Sequence, residues 1–184
     1  MTLPLWIGSQ DLRQQRGISE CSASRKSDYR QTPRCVIIDL FSRKVIAHKI
    51  SRENNTELVL ETFKLAYERR GKPQGLLFHS DQGTQYSAYK FRKYLRDLGV
   101  KQSFSNPGTP YDNAVAESFF SMMKQEELSH NYYHSEDELN ATVAEYINFF
   151  NTMRPHRKLG GLTSDEFEKR YFSRQQSEGQ VSKA

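Results

Sequence analysis

Thirty-five residues separate two carboxylates, Asp81 and Glu117, whose local sequences put them on different kinds of element. Asp81 follows a short apolar run, Leu76-Leu77-Phe78, which reads as a buried strand, and Gly83 just beyond it predicts a turn. Glu117 lies in a helical pattern opened by Asp112, with Val115, Phe119, Met122 and Met123 as its apolar stripe. Two positions separate Glu117 from Phe119, roughly 200° around a helix, so Glu117 stands off that stripe. Lys124, seven residues on, returns to the face of Glu117. A fold that uses both carboxylates has to combine a sheet with a helix packed near it.

The order of elements meets that demand. Val36-Ile37-Ile38-Asp39-Leu40-Phe41 and Val45-Ile46-Ala47-His48-Lys49-Ile50, joined by Ser42-Arg43-Lys44, predict an antiparallel hairpin. Asn54-Asn55-Thr56 caps a predicted helix carrying Leu58, Phe63, Leu65 and Ala66, with Gly71 as its stop. Beyond the strand at Leu76, Ser87 is expected to cap a helix with Phe91, Leu95 and Leu98 on one face, and Val100–Phe104 is a short strand. Asn106-Pro107-Gly108-Thr109-Pro110 breaks any regular element before the Glu117 helix. Ser135 with Glu138 forms a capping box for a long helix striped by Leu139, Val143, Ile147 and Phe150. Thr163-Ser164-Asp165-Glu166 opens a last helix to about Phe172, and residues 173–184 read as a frayed tail. The expected class is therefore α/β, a mixed sheet flanked by helices, spanning residues 35–172 as one domain.

Residues 1–34 are different. Gln10-Asp11-Leu12-Arg13-Gln14-Gln15-Arg16-Gly17 and Ser22-Ala23-Ser24-Arg25-Lys26-Ser27 are polar and carry neither period, which predicts an irregular lead segment. Charge divides the chain in the same way. The net charge is +5, but residues 1–52 hold +6 and the remaining 132 hold −1. The basic excess suits a polyanionic partner, although it lies mostly outside the patterned region. No apolar run approaches the roughly 18 residues of a membrane span, and no basic leader precedes an apolar core at the start. The two cysteines, Cys21 and Cys35, form no zinc-type pattern and fit a reducing compartment. A soluble, cytoplasmic protein is expected.

Carboxylate oxygens suit Mg²⁺, which keeps part of its shell for water and phosphate. A strand-end Asp and a helical Glu together can hold such an ion over a nucleic acid for in-line displacement at a phosphodiester. Singly, each residue has a plainer reading: Asp81 as a turn residue, Glu117 and Lys124 as solvated side chains. His130 and His134, four apart, have no third ligand nearby in sequence.

Four motifs in order change that balance. His79-Ser80-Asp81-Gln82-Gly83-Thr84-Gln85-Tyr86 resembles the second-aspartate motif of insertion-sequence transposases of the IS-three class, which carry a retroviral-integrase-type DDE catalytic core. Tyr111-Asp112-Asn113-Ala114 with Ala116-Glu117-Ser118-Phe119-Phe120 and Lys124 resembles their glutamate helix, and the interval matches the family's D-35-E spacing. Ile38-Asp39-Leu40-Phe41-Ser42-Arg43-Lys44 resembles the hairpin before the second aspartate, and Phe150-Asn151, Arg154-Pro155-His156 and Leu159 resemble the closing motif. The resemblance implies a ribonuclease H-like fold and a DNA transposase or integrase catalytic domain. Its reaction would be metal-dependent strand cleavage and transfer with Mg²⁺ or Mn²⁺ held by Asp81 and Glu117. It implies DNA as partner, a homo-multimer or a separate DNA-end-binding chain, and a bacterial, nucleoid-associated location. Lys124, Arg154 and His156 are the expected DNA contacts. For Arg154 and His156, capping and pinning the helix end is an equal alternative.

The chain departs from the family at the first carboxylate, which stands in a Trp-x-x-Asp-x-Thr strand somewhat under twenty residues before the position of Asp39. Glu20-Cys21-Ser22-Ala23-Ser24-Arg25 occupies that region, and Trp6 is not followed by the Asp and Thr. Glu20 is near the right distance but lacks a strand pattern around it; Asp28 is too close and Asp11 too far. The first strand is therefore expected to be missing or degenerate, with residues 1–34 unrelated to the family. The alternative function is an inactive transposase remnant, at most DNA-binding or regulatory.

Overall fold

The computed structural model describes residues 34–105 and 114–181, with Tyr29 and Thr32. Trp6, Asp11, Glu20, Cys21, Asp28, the Asn106–Pro110 breaker and the Asp112 helix start lie outside the described residues.

The hairpin forms as its β-branched runs predict: β1 (Arg34–Ile38) pairs antiparallel with β2 (Val45–Ile50). Its register shifts between Ile37 and Ile38, so Ile37 faces Ala47 while Ile38 faces Val45, and Ile46 is the extra residue of a bulge. In the loop, Asp39 Oδ1 accepts from the backbone N–H groups of Phe41 and Ser42 (2.8 and 3.4 Å), an anchor that helps carry Arg43 through its left-handed φ of 60°.

Helix α1 (Thr56–Arg69) starts at Asn55, whose side chain accepts from Leu58 N, and ends before Gly71 at φ 72°. β3 (Leu77–Ser80) then pairs parallel with β4 (Lys101–Phe104). Between them the structure differs from the expectation for Ser87. A single turn, α2 (Thr84–Ser87), precedes α3 (Tyr89–Asp97), so Ser87 ends one helix instead of capping the next. Its hydroxyl donates back to Gly83 O and Thr84 O, a local bond that competes with capping forward.

Helix α4 (Ala114–Met123) runs into a π-helical segment, Lys124–Leu128. Its buried face is Ala116, Phe119, Phe120 and Met123, rotated from the predicted stripe, with Val115 and Met122 only partly covered. Small Ala116 had offered no signal against Val115. Helix α5 (Glu136–Thr152) is capped by Ser135 and buries Leu139, Val143, Ile147 and Phe150 as predicted. Helix α6 (Ser164–Val181) opens with the reciprocal Thr163–Glu166 box and continues well past Phe172. Its continuation past Phe172 is polar, and that lack of an apolar stripe is why sequence suggested a tail.

Two cores result, and β1 divides them. Cys35 and Ile37 face a core built with α1, β3 and α3 around Phe63, Phe78 and Phe91. Val36 and Ile38 face a second built with α4 and α5 around Phe119, Val143 and Phe150. Alternation along one strand thus separates helices into two layers. The bulge at Ile46 keeps Val45 on the second core while Ala47 stays on the first. Among the described residues β1–β2 and β3–β4 are separate two-stranded sheets, one antiparallel and one parallel. No helix among them is long and apolar enough to cross a membrane.

Candidate active site

Asp81 stands immediately after β3, and the strand end beneath it is fixed on both sides. Phe78 packs edge-on against Phe63 and Phe91, with centroids 5.5 and 5.3 Å away. His79, on the opposite face, is buried and spans the hydroxyls of Ser103 and Ser105 at 3.1 Å each, tying β3 to β4 and the residue beyond it. Gln82 donates to Ser105 O (3.1 Å) from the other side of Asp81. The Asp81 carboxylate accepts from Gly83 N at 2.9 Å, an Asx-type turn. A Cβ at Gly83 would lie 3.0 Å from that same Oδ1 and 3.1 Å from Gln85, so a larger residue there would press on the Asp81 and Gln85 side chains. The plain turn role and the candidate metal role therefore use one carboxylate, with Oδ1 oriented by the turn.

Glu117 lies in the first turn of α4 on its exposed face, where a carboxylate also complements the helix dipole. The opposite face is held by Phe119, whose ring meets Phe150 at 4.9 Å and 88°. Helical geometry persists to Met123, so Lys124 shares the side of Glu117 as the seven-residue spacing requires. Lys124 is exposed, opens the π-helical segment, and has no ion pair among the described residues.

Arg154 and His156 are engaged within the protein. Arg154 Nη1 donates to both oxygens of Glu126 at 2.8 and 2.6 Å, and the Tyr146 hydroxyl donates to the same carboxylate at 2.8 Å. The Arg154 bond, with help from Tyr146, holds the Glu126 carboxyl below the usual carboxylate range despite some burial. His156 is half-buried edge-on to Phe150 at 4.7 Å, and burial pushes its imidazole down. Arg154 ties the end of α5 to the segment that begins at Lys124, while His156 packs back on Phe150 of α5 itself. Asn151, quoted only as part of a motif, is buried, with its carboxamide accepting from Val45 N and donating to Val45 O at 2.9 Å each. Its signal in sequence was a polar residue next to the apolar stripe of α5.

His130 and His134 are both exposed, and among the described residues no group of three His, Cys, Asp or Glu is arranged to hold a metal ion.

Two family models, each described as Integrase core domain, match residues 23–110 and 98–163. The chain is 35% identical over 135 residues to the transposase for insertion sequence element IS904 of Lactococcus lactis, covering 73% of this chain and 53% of that one. It is 35% identical over 134 residues to transposase InsF for insertion sequence IS3A of Escherichia coli, covering 72% and 46%. A 31 kDa protein of insertion element IS600 from Shigella sonnei is 35% identical over 136 residues, covering 73% and 50%. The chain thus spans about half the length of these relatives. Among solved structures, the catalytic core domain of BIV integrase superposes with a TM-score of 0.63 at 15% identity, covering 92% of this chain and 97% of that one. The HTLV-2 integrase catalytic core, in complex with magnesium, gives 0.58 at 14%, covering 90% and 97%. The fold is that of the retroviral integrase cores, ribonuclease H-like, as the resemblance implied. By the two core-domain matches and the recurring identity to insertion-sequence transposases, the chain belongs to the integrase-core family of insertion-sequence transposases.

Proposed function

We propose that residues 35–172 are the catalytic core of a DNA transposase, cleaving phosphodiesters and transferring strands with a divalent metal. The observation that carries this is Asp81 at a strand end braced by His79 and Gln82, with Glu117 exposed on a helix thirty-five residues on, within an integrase-type fold. The donor chemistry fits a hard cation: both groups are carboxylates, and the turn at Gly83 fixes one Asp81 oxygen. Asp81 and Glu117 would hold the ion, as the HTLV-2 core's complex with magnesium suggests by analogy. The chemistry supplied by the bound cation is Lewis-acid polarisation at the scissile phosphate and a more acidic attacking hydroxyl. The chain's own contribution is orientation. Lys124, on the Glu117 face, reaches the DNA backbone, while Arg154 keeps the segment that carries Lys124 in place and His156 pins the end of α5. DNA ends and target are the expected substrates. A multimer, as in the dimeric and trimeric forms of the HTLV-2 core, or a separate end-binding chain, completes the assembly at the bacterial nucleoid.

Cleavage and strand transfer on duplexes bearing the element's ends, with Mn²⁺, test this. Asp81→Asn and Glu117→Gln should each lower the rate by about a hundredfold or more, the equivalent of several kcal/mol of transition-state stabilisation. The competing reading, an inactive remnant, rests on the first carboxylate, whose candidate Glu20 lies outside the described residues. No product from the unsubstituted chain under any metal supports the remnant; product sensitive to both substitutions excludes it.

A further inference from the structure

A groove of about 380 Å³ runs between α3 and β4, lined by Ser87, Tyr89, Arg92, Lys93, Arg96 and Gln102 over a floor that includes buried Leu95. Its charge is out of keeping with its surroundings. Residues 53–184 carry a net −1, yet residues 89–101 within them carry +4, from Lys90, Arg92, Lys93, Arg96 and Lys101 against Asp97. Two of those cations are neutralised: Lys90 pairs with Glu57, and Lys93 pairs with Asp97 at 2.7 Å. Arg92 and Arg96 are exposed and have no ion pair among the described residues, and neither has Lys101. Arg92 and Arg96 are four residues apart, so they project from one face of α3 about 6 Å apart along its axis. That distance is close to two base steps, roughly 6.8 Å, along one strand of a duplex. Tyr89 is 74% exposed at the mouth, an uncovered ring among cations. A merely solvated helix face would interleave its acids with its bases; here two of the free charges, Arg92 and Arg96, line a concavity.

The groove also points the right way. Ser87, at one end, is the last residue of α2, and α2 begins three residues after Asp81. Three extended and three helical residues span at most about 15 Å. From there α3 carries the groove away from Asp81 for about 13 Å, some four base steps.

We propose that this groove binds the phosphate backbone of duplex DNA without regard to sequence, as a track for the target strand leading to Asp81. The donors in it are of the type that positions a backbone, and phosphate contacts carry no sequence information. The inference rests on the transposase reading, but its test is separable from it. Binding of the full chain to a fluorescent duplex of arbitrary sequence is measured by anisotropy in EDTA, so that no cleavage intervenes. The Arg92→Glu/Arg96→Glu variant should bind about tenfold more weakly or worse, with a salt slope smaller by about 2. Lys169→Glu/Arg170→Glu, an equal charge change on the exposed side of α6, should bind as the unsubstituted chain does. Tyr89→Ala should weaken binding by a smaller factor than the arginine pair. Far-ultraviolet dichroism and melting of each variant check the fold. Competition by unlabelled duplex should be equal for element ends and unrelated sequence.

Equal losses in the two charge-reversed doubles, no loss in either, or a tenfold preference for element ends would overturn the proposal. Absence of DNA binding by the unsubstituted chain would overturn it as well. If instead Asp81→Asn still binds and the arginine double does not, the groove stands even where no cleavage is found. If cleavage is found and the arginine double binds normally, the groove falls and the catalytic reading stands.

Discussion

Two grooves in this protein are lined by cations, and they use them in opposite ways. The α3–β4 groove presents Arg92 and Arg96 with no ion pair among the described residues. The other, about 450 Å³ between β2, the end of α1 and α5, includes Lys44, His48, Arg69, Arg70 and Asn151 in its lining, and its Lys and Arg charges are engaged. Arg70 Nη2 reaches Asp39 at 2.7 Å, Ser42 and Glu168; Lys44 meets Asp165 at 2.8 Å and Glu168 at 3.2 Å; Arg69 donates to Ile46 O at 2.7 Å. Cations whose charge is met inside the protein hold it together, whereas cations left facing solvent remain available to a ligand. The second groove is therefore a joint between the hairpin, α1 and α6, although its volume is the larger of the two.

Removing Arg70 should break this contrast most severely. Its side chain is 16% exposed, and those of Asp39 and Glu168 are 6% and 12% exposed, so loss of the guanidinium strands Asp39 and leaves Glu168 with Lys44 alone in a poorly hydrated place. Burial already pushes Asp39 up against the pull of Arg70. Glu168 is half-buried, yet Arg70 and Lys44 hold it below the carboxylate range. Arg70→Met should cost about 3–5 kcal/mol in urea unfolding, the usual penalty for breaking a buried pair from one side. Adding Asp39→Asn and Glu168→Gln should recover much of it, because the stranded charges are then gone. If the single and triple variants are equally unstable, packing and not charge dominates the joint.

Asn151 is next. The bulge in β2 leaves Val45 N and O to the Asn151 carboxamide, whose side chain satisfies both. Asn151→Ala strands a buried donor and a buried acceptor, at about 1–3 kcal/mol for each group. Denaturant titration should give a loss of roughly 2–6 kcal/mol, with cooperativity unchanged. A loss below that of an ordinary surface change would mean the bulge finds other partners.

How much of this was legible in sequence depends on how local the determinant was. Asn55, Ser135 and Thr163 cap the helices they predict, because a cap needs only residues three apart. Asp81 and Glu117 are singled out by spacing and motif, and the described structure adds what braces the strand end beneath Asp81: a histidine reaching two serines on and just after a neighbouring strand. That brace is long-range, so no window of sequence displays it. Arg92 and Arg96 carry no signal of their own in sequence, because the period of α3 marks its apolar stripe, Phe91 and Leu95, and not what its other face leaves unpaired. Ser87 reads as a cap in sequence because the one-turn helix it ends is too short for periodicity to reveal. For Arg154 the sequence leaves phosphate and helix-end roles equal, because its contact with Glu126, twenty-eight residues away in the chain, shows in no local window.

The smallest effect in the second groove concerns His48, and its sign is fixed by its surroundings. Burial pushes its imidazole below the ordinary 6.5; a hydrogen bond with Asn140 opposes this, and the charge of Arg69 adds to it. The folded chain therefore takes up a proton at His48 less readily than the unfolded chain does. Stability from this group is complete above about 6.5 and is lost as pH falls towards the folded value. Because the ring is partly exposed, the loss between pH 7 and pH 5 should stay under about 1 kcal/mol. His156 acts in the same direction for the same first reason, burial, so His48→Gln should remove part of the slope and leave the rest. The window lies above the ordinary carboxylate range of about 4–4.5, which keeps Glu168 out of it. Melting temperatures from pH 7.5 to 5 for the two proteins decide the matter. Parallel curves would mean that His48 is hydrated in solution and that the groove is more open to water than its paired cations imply.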